Sequence, residues 1–190
     1  MNENRNDTVQ WLQYLLYAGI ASAVHSLLAN LSLLGSMSRW VGLAISAAAI
    51  YLLFRLADAN PRYRNAAIFS AVSLVCAQIG GTILILACSV CGTVAQYQEY
   101  HAHGEMIEER NPKLAGKWHS LFWAQFVVGL LLSVLVSLTA AILAVIAGLE
   151  TMALTAITTV VVSIISVILK VLYLVYLDRT VKTLQSEFVM

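Results

Sequence analysis

The stretch of this 190-residue chain richest in reactive side chains is QYQEYHAHGEMIEERNPK, residues 96 to 113. On an unbroken helix Tyr97, His101, Glu105 and Glu108 share a face, and His101 with Glu105, four apart, has the spacing of a metal-ligand pair. Two ligands fall short of a full set; His103 points elsewhere, and His119 is the next histidine along the chain. Cys88, Cys91, His101 and His103 form a C-x2-C…H-x-H pattern. Structural zinc motifs instead place the second pair on an element that folds back, usually with three to five residues between the histidines. Here the cysteines lie in an apolar run and the histidines about 15 Å further along the same helix. The spacing therefore favours a solvated polar face, and no cofactor is expected. The sequence has no HExxH pair, GxSxG elbow or P-loop, so it gives no support for an enzyme.

Two further polar groups interrupt apolar runs. Ser22, His25, Ser26 and Asn30 lie close on one helical face, and an ionisable residue at such depth is expensive to bury without a partner. His25 can relay protons or bind a polar ligand, or it can be a neutral histidine bonded to a neighbouring helix, with Gln78 or Gln125 as partner. Lys170 ends a stripe of hydroxyls (Thr151, Thr155, Thr158 or Thr159, Ser163, Ser166) that lines either a polar path or a packing seam, since serine and threonine in helices can bond their own backbone.

The elements that hold these residues follow from composition. Hydrophobic residues make up 60% of the chain and charged residues 11%, with a net charge of +1; mean hydropathy is +0.80. Soluble domains carry about 25% charged residues. The apolar residues fall in runs long enough for helices that cross a bilayer, which need about 20 residues each. The sequence predicts an all-α, polytopic integral membrane helix bundle of about five transmembrane helices with short loops. The spans cover about residues 11–34, 39–56, 66–92, 119–149 and 151–177, with a polar juxtamembrane segment at 96–118, all in one domain.

Local signals refine this plan. The two prolines each follow asparagine and precede a basic residue, at Asn60-Pro61 and Asn111-Pro112. Proline suits the first helical turn and asparagine caps the free donors before it, so both read as helix starts. A straight helix from Pro61 to Arg110 would run about 75 Å, over twice the hydrocarbon thickness. It must protrude or break, at Gly80-Gly81, Gly92 or Gly104. Five spans give the basic residues a slight bias toward an outside N-terminus and an inside C-terminus, at the cost of basic clusters at both ends of the third span. Small residues spaced three and four apart, from Gly129 to Gly148 and from Ala66 to Cys91, predict close helix packing. Trp11, Trp40, Trp118 and Trp123 near the ends of runs read as interfacial anchors. Cys76, Cys88 and Cys91 read as packing residues, and no cleavable signal peptide is expected at the polar start of the chain.

A net charge of +1 gives no basic field for nucleic acid. The expected setting is the cell membrane, with the lipid bilayer as solvent and a homo-oligomer or a partner membrane protein as company. The expected role is a non-enzymatic accessory, assembly or interaction protein that makes its contact through residues 96 to 118. The alternative is a small oligomeric channel or transporter for an ion or small polar solute.

Overall fold

A computed structural model describes residues 2–30, 37–146 and 151–186, with side chains described for 6–29, 37–131 and 164–186. The chain is an all-α bundle of six helices: α1 (Asn2–Asn30), α2 (Ser38–Leu56), α3 (Pro61–Ile79), α4 (Thr82–Ile107), α5 (Pro112–Ile146) and α6 (Thr151–Gln185). Both Asn-Pro pairs start helices. Asn60 accepts a hydrogen bond from the Arg62 backbone N–H at 2.9 Å, and Asn111 accepts one from that of Leu114 at 3.0 Å.

The expected third span, 66–92, is not one helix. It divides at Gly80 and Gly81, whose φ angles of 77° and 96° suit glycine, and the chain reverses there. Arg62 meets Glu105, Tyr63 meets His103, and Ser73 meets Cys88, so α3 and α4 form an antiparallel hairpin. The helix count therefore becomes six rather than five. Of the three glycine sites open to a break, Gly92 and Gly104 stay helical; a Cβ on Gly104 would lie 3.5 Å from the Ala115 carbonyl, an ordinary packing distance between α4 and α5.

Each helix packs against the next in sequence, and α6 returns against α1, so the six form a closed ring with α4 also touching α6 across it. The seam between α1 and α6 is close. A Cβ on Gly19 would come within 2.8 Å of Leu174, and Lys170 reaches Ser26 at 2.7 Å. Because α1 and α6 run antiparallel, the start of α1 and the end of α6 lie at the same end of the ring. The slight bias toward termini on opposite sides belonged to an odd number of helices and does not survive an even one.

Among the described residues, packing differs between the two ends. Their buried core (Leu12, Leu56, Tyr63, Ile107, Trp118 and Leu177 at its centre) sits at the end holding the α2–α3 and α4–α5 turns. Toward the Gly80-Gly81 end large apolar side chains face outward instead, with Ile83 81% and Val90 64% exposed. Trp118, expected at an interface, is fully buried in that core; Trp40, 72% exposed, has the surface position expected of an anchor. Among the described residues two stretches, Asn6–Ala29 and Ser38–Leu56, are long and apolar enough to cross a membrane on their own. The break at Gly80-Gly81 shortens the third run, and each resulting helix keeps a polar end.

Candidate functional site

The polar segment expected to face solvent instead folds inward along one side. Tyr100, Ala102, His103, Gly104 and Ile107 are buried, while His101 and Glu105 turn to different neighbours. Glu105 accepts hydrogen bonds from the Arg62 guanidinium at 2.7 Å and the Asn60 amide at 3.0 Å, both on the α2–α3 side. His101 turns to α5. The suggested metal pair is therefore drawn to two different helices, and among the described residues no three His, Cys, Asp or Glu side chains are grouped to hold a metal.

His101 takes part in a directional chain of hydrogen bonds. The Trp123 indole N–H can only donate, and it donates to His119 Nε2 at 3.0 Å. Neutral His119 then carries its proton on Nδ1 and donates it to His101 Nε2 at 2.9 Å, and His101 donates from Nδ1 to the Tyr97 carbonyl at 2.9 Å. The chain closes only while both imidazoles are neutral, because a second proton on either ring would set two donors face to face. Burial holds His101 below the ordinary histidine range, against the Tyr97 carbonyl, with the neighbouring His119 ring and the Arg62 charge also disfavouring a second proton and Glu105 favouring it. The native state thus resists a proton that the unfolded chain accepts near pH 6.5. Stability contributed here is fully present above that pH and falls as the pH drops below it, until His101 is charged in the native state too. The thermal midpoint of the purified protein is expected to fall between pH 7 and pH 5 and to fall less in His101→Gln. An equal slope in the two proteins contradicts the pairing.

A second cluster lies deeper, at the level of Trp118. The His103 ring is fully buried against Trp118, with ring centroids 4.5 Å apart. Its Nδ1 lies 2.7 Å from the Tyr63 hydroxyl. Its Nε2 has no hydrogen-bond partner among the described residues and faces Glu99 Oε1 at 3.6 Å. Glu99 accepts a hydrogen bond from the Tyr173 hydroxyl at 2.5 Å. Burial is the main influence on Tyr63, raising its hydroxyl well above the ordinary tyrosine range, with Glu99 and Glu105 adding to it; the phenol stays protonated at any ordinary pH. Three elements meet here: α3 supplies Tyr63, α4 supplies Glu99 and His103, and α6 supplies Tyr173.

Glu99 opens onto a cavity of about 490 Å³ inside the ring. Its wall includes Ser22 from α1, Ser46 from α2, Ser70 and Ser73 from α3, and Lys170 from α6. Tyr100 stacks on Tyr173, with centroids 5.5 Å apart, and donates to Gln125 of α5 at 2.7 Å; all three residues line the cavity. All six helices thus contribute to one space, which is of the size that binds small molecules.

The polar residues picked out from the sequence fall in different places. His25 donates from Nε2 to the Ser38 backbone carbonyl at 2.8 Å, and its ring lies 3.0 Å from where a Cβ on Gly42 would stand. It joins α1 to α2 at the end away from the core, and its neighbour is neither Gln78 nor Gln125. Gln78 accepts twice from Arg39, at 2.8 and 3.2 Å. Lys170 lines the cavity and points to α1, where it donates to Ser26. The side chains of Asn30 and of most of the hydroxyl stripe before Lys170, and of the small-residue stripe from Ser133 to Gly148, lie outside the described residues. Glu99 is the functional group that sequence reading passed over. It sits at the foot of the line Cys88, Gly92, Ala95 and Glu99, in which a carboxylate follows small residues on one face of a helix. The chain matches no protein-family model, no curated protein and no solved structure.

Proposed function

We propose that the chain is a six-helix integral membrane protein that binds and carries a small solute in its central cavity. The observation that carries this reading is the cavity itself: all six helices wall it, and it holds a carboxylate with no lysine or arginine paired to it among the described residues. A cavity within one chain favours the transporter reading over an accessory role, because the polar segment on which an accessory contact would rest is largely spent on internal packing. A carrier formed this way does not require an oligomer to make its path.

Two features support a bilayer as the setting. Large apolar side chains crowd the outside of the ring on the Gly80-Gly81 half, where water would have to hydrate them. Charge is also sorted by end. Arg55, Arg62 and Arg64 flank the α2–α3 turn, Arg110, Lys113 and Lys117 flank the α4–α5 turn, and Arg179 and Lys182 lie near the end of α6. All share the end at which α1 starts, while the opposite end carries Arg39. Six helices resolve the conflict that five created, and the positive-inside rule puts the basic end in the cytoplasm.

Single cysteines test both parts in a background with Cys76, Cys88 and Cys91 changed to alanine. In intact cells a membrane-impermeant maleimide is expected to label Thr82→Cys, and to label Glu109→Cys only after permeabilisation. In the reconstituted protein, Ser70→Cys on the cavity wall is expected to react with 2-aminoethyl methanethiosulfonate, while Leu52→Cys in the core stays inert. A chain that fractionates as soluble overturns the membrane reading. A silent Ser70→Cys beside a reactive Thr82→Cys overturns the carrier reading.

A further inference from the structure

We infer that the cavity is built for a small zwitterion, its ammonium group on Glu99 and its acid group on Lys170; this rests on the carrier reading and specifies its solute. Two opposite charges line one cavity, and neither is spent on the other: Glu99 is held by Tyr173, and Lys170 is held by Ser26. Charges taken out of water are costly unless paired and hydrogen-bonded. Glu99, 15% exposed, has one hydroxyl donor, and the more exposed Lys170 has one hydroxyl acceptor, so each keeps capacity for a second partner. A solute bearing one charge of each sign supplies both missing partners at once, and adds no net charge to the interior.

The surroundings fix how such a solute would lie. Tyr173 and Lys170 are three residues apart on α6, so the tyrosine that holds Glu99 stands about 4.5 Å along the helix axis from the lysine. Behind Glu99, His103 Nε2 lies 3.6 Å away and fully buried, with no hydrogen-bond partner among the described residues, so the carboxylate has a ring at its back and the cavity at its front. The other charged or titratable groups nearby are Tyr63 and Arg62 on α3, Tyr100 and Glu105 on α4, and the phenol of Tyr173. Arg62 is engaged by Glu105, which leaves it unavailable to neutralise Glu99. Between the charged groups the wall is largely apolar, with Leu15, Ala49, Leu53, Leu74, Leu169 and Leu174. An apolar body between or beside the two charged ends suits that lining; a metal ion, which wants several oxygen ligands, does not. A lone amine would leave Lys170 facing like charge, and a lone acid would leave Glu99 so.

The test uses three probes on one carbon skeleton, titrated against the full chain in detergent at pH 7.5: leucine as zwitterion, leucinamide as cation and 4-methylpentanoate as anion. Leucine is expected to bind about tenfold tighter or more than either relative, the difference of one charge-assisted hydrogen bond. Glu99→Gln, which keeps an acceptor for Tyr173, is expected to erase the advantage of leucine over 4-methylpentanoate. Lys170→Gln is expected to erase its advantage over leucinamide. Equal binding of all three, no binding of any, or a leucine preference that survives both substitutions overturns the zwitterion. Cysteine accessibility at Ser70 separates the two proposals: a cavity that admits the reagent without preferring leucine overturns this one alone, and a closed cavity overturns the carrier reading with it.

Discussion

Trp118→Ala is expected to destabilise the folded protein by about 3–5 kcal/mol, the range for removing a large aromatic side chain from a packed core. Trp118 is the largest fully buried side chain described, and it touches the elements on both sides of α5. Its ring packs on His103 and Tyr100 of α4 and on Tyr173 and Tyr176 of α6. Its indole N–H donates to Thr180 at 3.0 Å, so truncation also leaves the threonine without that donor, though Thr180 keeps its own bond to the Tyr176 carbonyl. Trp118→Phe retains much of the ring contact and loses the N–H, which should cost about 1–2 kcal/mol. The measurement is thermal unfolding in detergent followed by circular dichroism at 222 nm, with Trp40→Ala, at a residue 72% exposed, as the comparison. If Trp118→Ala melts with Trp40→Ala, the core at this end is not what holds the bundle together.

The paired change Gly80→Ala and Gly81→Ala is expected to cost about 2–6 kcal/mol, from about 1–3 kcal/mol for each strained residue. Gly80 has φ 77° and ψ −177°, a region that essentially only glycine visits, and Gly81 has φ 96° and ψ 146°. A Cβ at either position would meet nothing within 4 Å, so the cost is one of backbone torsion and not of crowding. The same change at Gly116 or Gly129, helical and equally uncrowded, should be neutral or slightly stabilising because alanine is the better helix former. Four thermal midpoints decide the matter: wild type, the pair, and the two controls. A pair as stable as Gly116→Ala would mean that the turn tolerates side chains and that the hairpin is held elsewhere.

What the sequence made legible was mostly local. Asn60 and Asn111 announce helix starts because capping is settled within three residues, and both cap as their type and the following proline dictate. The turn between α3 and α4 shows how local signals underdetermine the fold. Gly80-Gly81 marks a place where a helix can break, but hydropathy runs through it unchanged, and a break alone does not say that the chain reverses. Reversal is decided by pairing at a distance, where Ser73 finds Cys88 and Arg62 finds Glu105. Trp118 was misjudged for a related reason: tryptophan near the end of an apolar run commonly sits at an interface, and nothing nearby in sequence reveals that Thr180 and Tyr176 will close over it. Glu99 lay unseen among the acids of a polar stretch. Its face of α4 is set by α3 and α6, which approach from 36 residues before and 74 residues after, as in Arg62 to Gln98 and Tyr173 to Glu99.

The seam between α1 and α6 bears on the order of assembly during synthesis. Neighbouring helices can pair as soon as the second of each pair has emerged, and the α3–α4 hairpin needs only a two-residue turn. The bond from Lys170 to Ser26 joins residues 144 apart, so it waits for nearly the whole chain. Loops that long close late, after the local pairs have formed. Until then Glu99 lacks the hydroxyl of Tyr173, and the interior of the ring stands open along one side. Helix α6 is therefore the stave that closes an open row into a ring, and a nascent chain halted before α6 lacks the wall that Lys170 and Tyr173 supply.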